Sequence, residues 1–149
     1  MKSTKLVAAI AALAIASIGV GSAATAASTA STTVSAKLTA KAEVPKQAFA
    51  AAKGKGSFTG TLTGSKLTWK LTWASLSGPA LAAHIHLGKA GKAGNVLVPL
   101  CASKTCKSGV HGTAKLTAAA LKALKAGGLY VNVHTAKNPA GEIRGQLAG

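Results

Sequence analysis

The chain has 149 residues, with 18 Lys or Arg set against two Glu and no Asp, and a formal net charge of +16. That length bounds it to one domain, and the shortage of carboxylates excludes the usual two-carboxylate hydrolases and the Ser-His-Asp triad. A single Arg and 3% aromatics leave no motif for reading or stacking nucleic-acid bases, so the charge points instead to acidic polymers or anionic envelope surfaces.

Residues 1–26 read as a signal peptide. Lys2 and Lys5 form a basic start, and Leu6 to Val20 is apolar but short for a membrane span. Ala24-Thr25-Ala26 fits an A-x-A cleavage site, with Ser22-Ala23-Ala24 as the alternative. No Cys precedes Cys101, so an N-terminal lipid-modified Cys is not expected, and no second long apolar run follows. Removing Lys2 and Lys5 leaves +14, two below the +16 of the whole chain. The expected location is exported: periplasm, cell surface or medium.

Residues 27–33, rich in Ser, Thr and Ala, read as a flexible lead-in to a β-domain over 34–149. From Val34 the pattern alternates, with Val34, Ala36, Leu38, Ala40 and Ala42 on one side of a strand that Pro45 ends. Ser57 to Thr63 alternates again, and Gly64-Ser65 signals a hairpin turn. Leu67, Trp69, Leu71 and Trp73 then line one face of the next strand, which places both tryptophans inside. After Ser77-Gly78-Pro79, the residues Leu81, Ala83, Ile85 and Leu87 form an apolar face, with Ala82, His84 and His86 opposite.

The run Gly88 to Asn95 is a glycine-rich turn, and Ala93 stands where a phosphate-binding Walker loop requires Ser or Thr. Asn95 to Leu100 is a strand leading into Cys101 and Cys106. In an exported chain these two cysteines are expected to form a disulfide that stiffens a local turn. Val110 to Leu116 is a further strand. Thr117 caps a short helix over Ala118 to Ala126, stopped by Gly127-Gly128 and docked by Leu121 and Leu124. Leu129 to Thr135 and Glu142 to Leu147 close the chain as a hairpin around Asn138-Pro139-Ala140-Gly141. About seven short strands with one small helix predict an all-β fold, an antiparallel sandwich or Greek-key barrel.

The residues Ala83-His84-Ile85-His86, the glycine-rich loop, Val96 to Leu100, the Leu116–Leu124 helix, and Tyr130-Val131-Asn132-Val133-His134-Thr135 through Gly141-Glu142-Ile143-Arg144-Gly145-Gln146-Leu147 resemble the CHRD (chordin) domain. The resemblance runs over about Val34 to Leu147. It implies an immunoglobulin-sized extracellular β-domain, and it implies fold and location more than an activity.

His84 and His86, two apart on a strand, share one face with Cα atoms about 7 Å apart. His134 shares its face with Tyr130 and Asn132. If the two strands adjoin, three imidazoles can meet one metal ion about 2 Å from each nitrogen, and such a set suits copper or zinc. His111 is a conceivable fourth ligand. A His-x-His strand followed by Val-x-Val-His is also loosely similar to the copper half of Cu/Zn superoxide dismutase. That resemblance implies His84, His86 and His134 as ligands and Arg144 as a substrate-guiding residue, although the Asp of the zinc site is missing. The alternative is that these histidines only hydrogen-bond backbone or carboxylate, with Glu142 as a partner. Glu142 and Arg144 share a strand face and are expected to form an ion pair. Two functions remain open: a non-enzymatic exported module that engages an acidic partner, or a copper-binding protein for storage, tolerance or redox work.

Overall fold

The computed structural model describes residues 30–51 and 53–149. The expected signal segment and the start of the lead-in lie outside these residues. Eight antiparallel strands form one sheet: β1 (Ser31–Thr39), β2 (Lys55–Thr63), β3 (Lys66–Ala74), β4 (Ala80–Leu87), β5 (Val96–Ala102), β6 (Val110–Lys115), β7 (Leu129–Thr135) and β8 (Ile143–Gln146). The single α-helix, α1, is Ala118–Lys125. The order across the sheet is β5-β4-β7-β8-β1-β2-β3-β6, and β5 and β6 come into contact, so the sheet curls almost into a barrel. This is the all-β antiparallel architecture that the alternation predicts, with eight strands against about seven.

The periodicity explains the core. Val34, Leu38, Phe58, Leu71, Ile85 and Val133 are buried at alternate positions of their strands. Phe58 stacks on Trp69 with ring centroids 6.2 Å apart, an aromatic contact worth about 1 kcal/mol beyond the area it buries. Gly64-Ser65 turns β2 into β3, whose registers run from Thr63↔Lys66 to Lys55↔Ala74. Thr117 caps α1 by accepting a hydrogen bond from the Ala120 N–H at 3.2 Å, and Leu124 docks the helix. Pro99 costs no ladder bond to a second neighbour because β5 ends the sheet order.

Four expectations shift. β1 begins at Ser31, inside the expected lead-in, and ends at Thr39, so Ala40 and Ala42 lie in a 3-10 turn rather than in the strand. Trp73 is only partly buried, because it sits near the end of β3. Leu81 is 47% exposed, because the register against β7 slips between Ala80 and Ala82 and turns Leu81 outward. Leu87 is 50% exposed where β4 runs out into the glycine-rich loop.

Cys101 and Cys106 form the expected disulfide across a sequence separation of five, and both are buried. The Thr105 hydroxyl donates to the Ala102 carbonyl and accepts from the Ala102 N–H, which holds the same turn. Replacing both cysteines with Ser is expected to cost about 2 kcal/mol, the loop-closure value for so short a ring. Thermal midpoints of the double variant and of the reduced parent should fall together, and an unchanged midpoint would show that the turn holds itself.

Candidate metal centre

The second face of β4, β7 and β8 carries the unusual side chains. In register across these strands lie Ala82–His134, then His84–Asn132–Arg144, then His86–Tyr130–Gln146. Alternation predicts that this face meets solvent. Instead Asn132, Tyr130, Glu142 and Arg144 are almost fully buried, and β7 is buried on both sides. The β4–β5 loop and the chain near Glu43 cover the face and bond to it.

The sheet brings the three histidines together. One nitrogen from each ring lies within 4.8 Å of the others, and the ring centroids are 4.8 to 5.9 Å apart. His86 Nδ1 is 2.9 Å from the Gly94 carbonyl, and His134 Nδ1 is 3.0 Å from the Pro139 carbonyl. A carbonyl only accepts, so both Nδ1 atoms carry the proton and both Nε2 atoms present a lone pair. His84 Nδ1 lies 3.0 Å from His134 Nε2 and donates to it. His86 Nε2 is buried with no hydrogen-bond partner. A buried polar atom without a partner is destabilising by about 1–3 kcal/mol, so it calls for a reason.

The protonation states suit metal ligation. Burial, then the neighbouring His134 and His86, push His84 down to about 4. Burial lowers His86 and His134 as well, more than their carbonyl partners raise them. All three rings are therefore neutral at pH 7, the form that binds a metal. The 3.0 Å gap between His84 and His134 matches two nitrogens each about 2 Å from one ion. For His86 to join them, a separation of up to 4.8 Å must close by roughly 0.8 to 1.5 Å, since two nitrogens about 2 Å from one ion stand at most about 4 Å apart. His84 also has to move its proton from Nδ1 to Nε2, which its partly exposed ring can do through water.

Neighbouring groups fix the rings. His86 stacks on Tyr130 at 4.8 Å with an interplanar angle of 8°, and the Arg144 guanidinium lies 3.4 Å from the centre of the Tyr130 ring. The Gly94 carbonyl reaches His86 because the chain doubles back against the end of β4. A Cβ at Gly94 would overlap the Leu87 backbone, so only glycine allows that approach. At Gly141 φ is +130°, and a side chain would run into the Asn132 carboxamide.

The expected Glu142–Arg144 ion pair is not formed, and Glu142 is no histidine's partner. Glu142 accepts from the Ser77 hydroxyl (2.6 Å), the Ser77 N–H (2.6 Å), Thr135 (2.7 Å), Asn138 (3.0 Å) and the Ala51 N–H (3.2 Å). Burial alone would raise its pKa, but these donors outweigh burial and hold it below the usual range. Arg144 instead donates to the carbonyls of Lys89 (3.0 Å) and Lys92 (2.8 Å), and it is 2% exposed. So enclosed a guanidinium does not fit a substrate-guiding role. His111 sits on β6, exposed and near the Gly109 carbonyl, and is not in the cluster.

Sequence reasoning missed Glu43. It is buried, and the Asn132 amide donates to both its oxygens at 3.0 Å. Burial raises its pKa to about 7 against the opposing pull of Arg144 and Asn132. It follows a non-periodic turn and carries no pattern of its own. The anchoring carbonyls of Gly94 and Pro139 were also invisible, since backbone acceptors leave no residue-type signal.

No curated protein and no solved structure matches the chain. The family model of the CHRD domain matches residues 34–147, from the start of the buried pattern in β1 to the end of the final hairpin. On that match, together with its antiparallel β-fold, the chain belongs to the CHRD domain family.

Proposed function

We propose that this CHRD domain is an exported, non-enzymatic module that holds one transition-metal ion, copper in preference to zinc, on His84, His86 and His134. The observation that carries the reading is the buried, partnerless Nε2 of His86, on a ring with two other neutral imidazoles beside it. Asn132 Oδ1 and Arg144 Nη1 on the same face also lack partners, but of these atoms only the imidazole nitrogen belongs to the three-histidine cluster. An all-imidazole donor set suits copper and zinc, and Cu(II) is the tighter binder. The buried disulfide is compatible with an oxidising compartment, and no helix among the described residues is long and apolar enough to cross a membrane.

The test is Cu(II) titration of chelator-treated protein, followed by calorimetry and visible absorption, with metal analysis of protein from copper-supplemented cultures. One copper per chain is expected, lost in both His84→Ala and His86→Ala. Retention of copper by both variants, or no binding by the parent, would overturn the reading.

A second reading, an acidic polymer or envelope partner, is favoured by one further observation. The chain's two acidic residues, Glu43 and Glu142, are both buried, while every described lysine is exposed. The exterior therefore presents side-chain cations and no side-chain carboxylate.

A further inference from the structure

We propose that the outer face of β1, β2, β3 and β6 is a docking surface for an acidic polysaccharide chain, which rests on the acidic-partner reading above and gives it a place and a chemistry. Across these four strands the registers align Thr33, Thr61, Thr68 and Thr113 in one rank. All four are exposed. The next rank along the strands is Ser35, Thr59, Lys70 and His111. Lys66 faces Lys115 on one flank, and Lys37 and Lys55 stand on the other. Hydroxyls on neighbouring strands are thus spaced by the sheet itself, about 4.8 Å apart, with charges at both ends of the array.

Ordinary soluble surfaces mix charges of both signs. This face carries only lysines, and neither carboxylate of the chain reaches the surface. A shallow depression of about 350 Å³ runs along it, bordered by Thr33, Thr59, Thr61, Thr68, Lys70 and the buried Trp69. A polymer that is hydroxylated and carries carboxylates meets both features: its hydroxyls pair with the threonine rank and its carboxylates with the lysines. A bilayer would require apolar side chains to insert, and bases would require exposed aromatics; the outward positions of these strands supply neither. The face is also separate from the histidine cluster, which lies on β4 and β7.

The experiment measures binding of the full domain to polygalacturonate by affinity electrophoresis and calorimetry. Three proteins are compared: the parent, the hydroxyl variant Thr33→Val/Thr61→Val/Thr68→Val/Thr113→Val, and the charge variant Lys37→Gln/Lys55→Gln/Lys70→Gln. Lys104→Gln/Lys122→Gln/Lys125→Gln removes the same charge elsewhere and is the control. Valine keeps the shape and strand preference of threonine, and circular dichroism checks each fold. Both face variants are expected to lose affinity on the order of tenfold, and the control no more than about twofold. Equal losses in the charge variant and the control would overturn the face while leaving the acidic-partner reading intact. No binding by the parent would overturn both. Tighter binding of the parent to vesicles of anionic phospholipid than to polygalacturonate would overturn the polysaccharide.

Discussion

Replacing His86 with Phe is expected to leave the metal-free protein within about 1 kcal/mol of the parent, yet to weaken copper binding by more than about 100-fold. The two effects part company because of what each nitrogen does. Nδ1 donates to the Gly94 carbonyl, and its loss removes one hydrogen bond. Nε2 has no partner, so its loss relieves a buried, unsatisfied atom. A phenyl ring keeps the stacking on Tyr130 and roughly the volume. The two stability terms are of similar size and opposite sign. Metal affinity has no such compensation, because one of three ligands disappears. Chemical denaturation in chelator and copper calorimetry on the same preparation separate the outcomes. A strongly destabilised variant with intact copper binding would mean that His86 is a structural residue.

Replacing Glu142 with Ala is expected to cost about 3–4 kcal/mol, a large share of the total for a domain of this size. Five donors converge on its carboxylate, and removal takes the acceptor from the buried Thr135 hydroxyl and from the partly buried Ser77 hydroxyl and N–H, while the Asn138 amide keeps only its weaker bonds to Ser77 and Thr135. Gln in its place keeps one acceptor oxygen but turns an amide against the donors, so it should cost roughly half as much. The pH dependence follows from the lowered pKa. A depressed carboxylate contributes stability above its unfolded value of 4.5 that is lost as pH falls through the folded value. The contribution of Glu142 should therefore fall on acidification below about pH 4.5, and since the histidines and Glu43 titrate in both proteins, the Ala variant should show a shallower limb in that range than the parent. Urea midpoints at pH 7 and pH 3 measure both. An Ala variant as stable as the parent at pH 7 would show that water replaces the carboxylate without penalty.

Alternation made the strands legible because it records a real asymmetry, apolar inward and polar outward. It located the core of β1, β2 and β3 almost residue by residue. It placed His84 and His86 on one face, and the adjacency of β4 and β7 completed the cluster with His134. For β7 and β8 the same rule does not reveal that the polar face is covered. Their polar residues face a second interior, roofed by the β4–β5 loop and the chain around Glu43, and no period of two distinguishes solvent from a polar lining. Opposite charges on one strand face are the simplest partners, which is why the sequence pairs Arg144 with Glu142. Backbone carbonyls and hydroxyls captured them separately, and those groups belong to residues whose types carry no signal. Leu81 was lost to a one-residue slip in register, which hydrophobicity alone does not announce.

Enclosing Glu43 and Glu142 also shapes how copies of this protein meet. The strands β5 and β6 each lack a hydrogen-bonded neighbour on one side, and such edges invite pairing with another chain. Because the exterior of the described residues is a single-signed field of lysines, two copies repel, and neither side-chain carboxylate is exposed to offer a complementary charge at the edges. The protection is electrostatic, so dissolved salt or a polyanion weakens it, and the same polymer that binds one copy can draw several together.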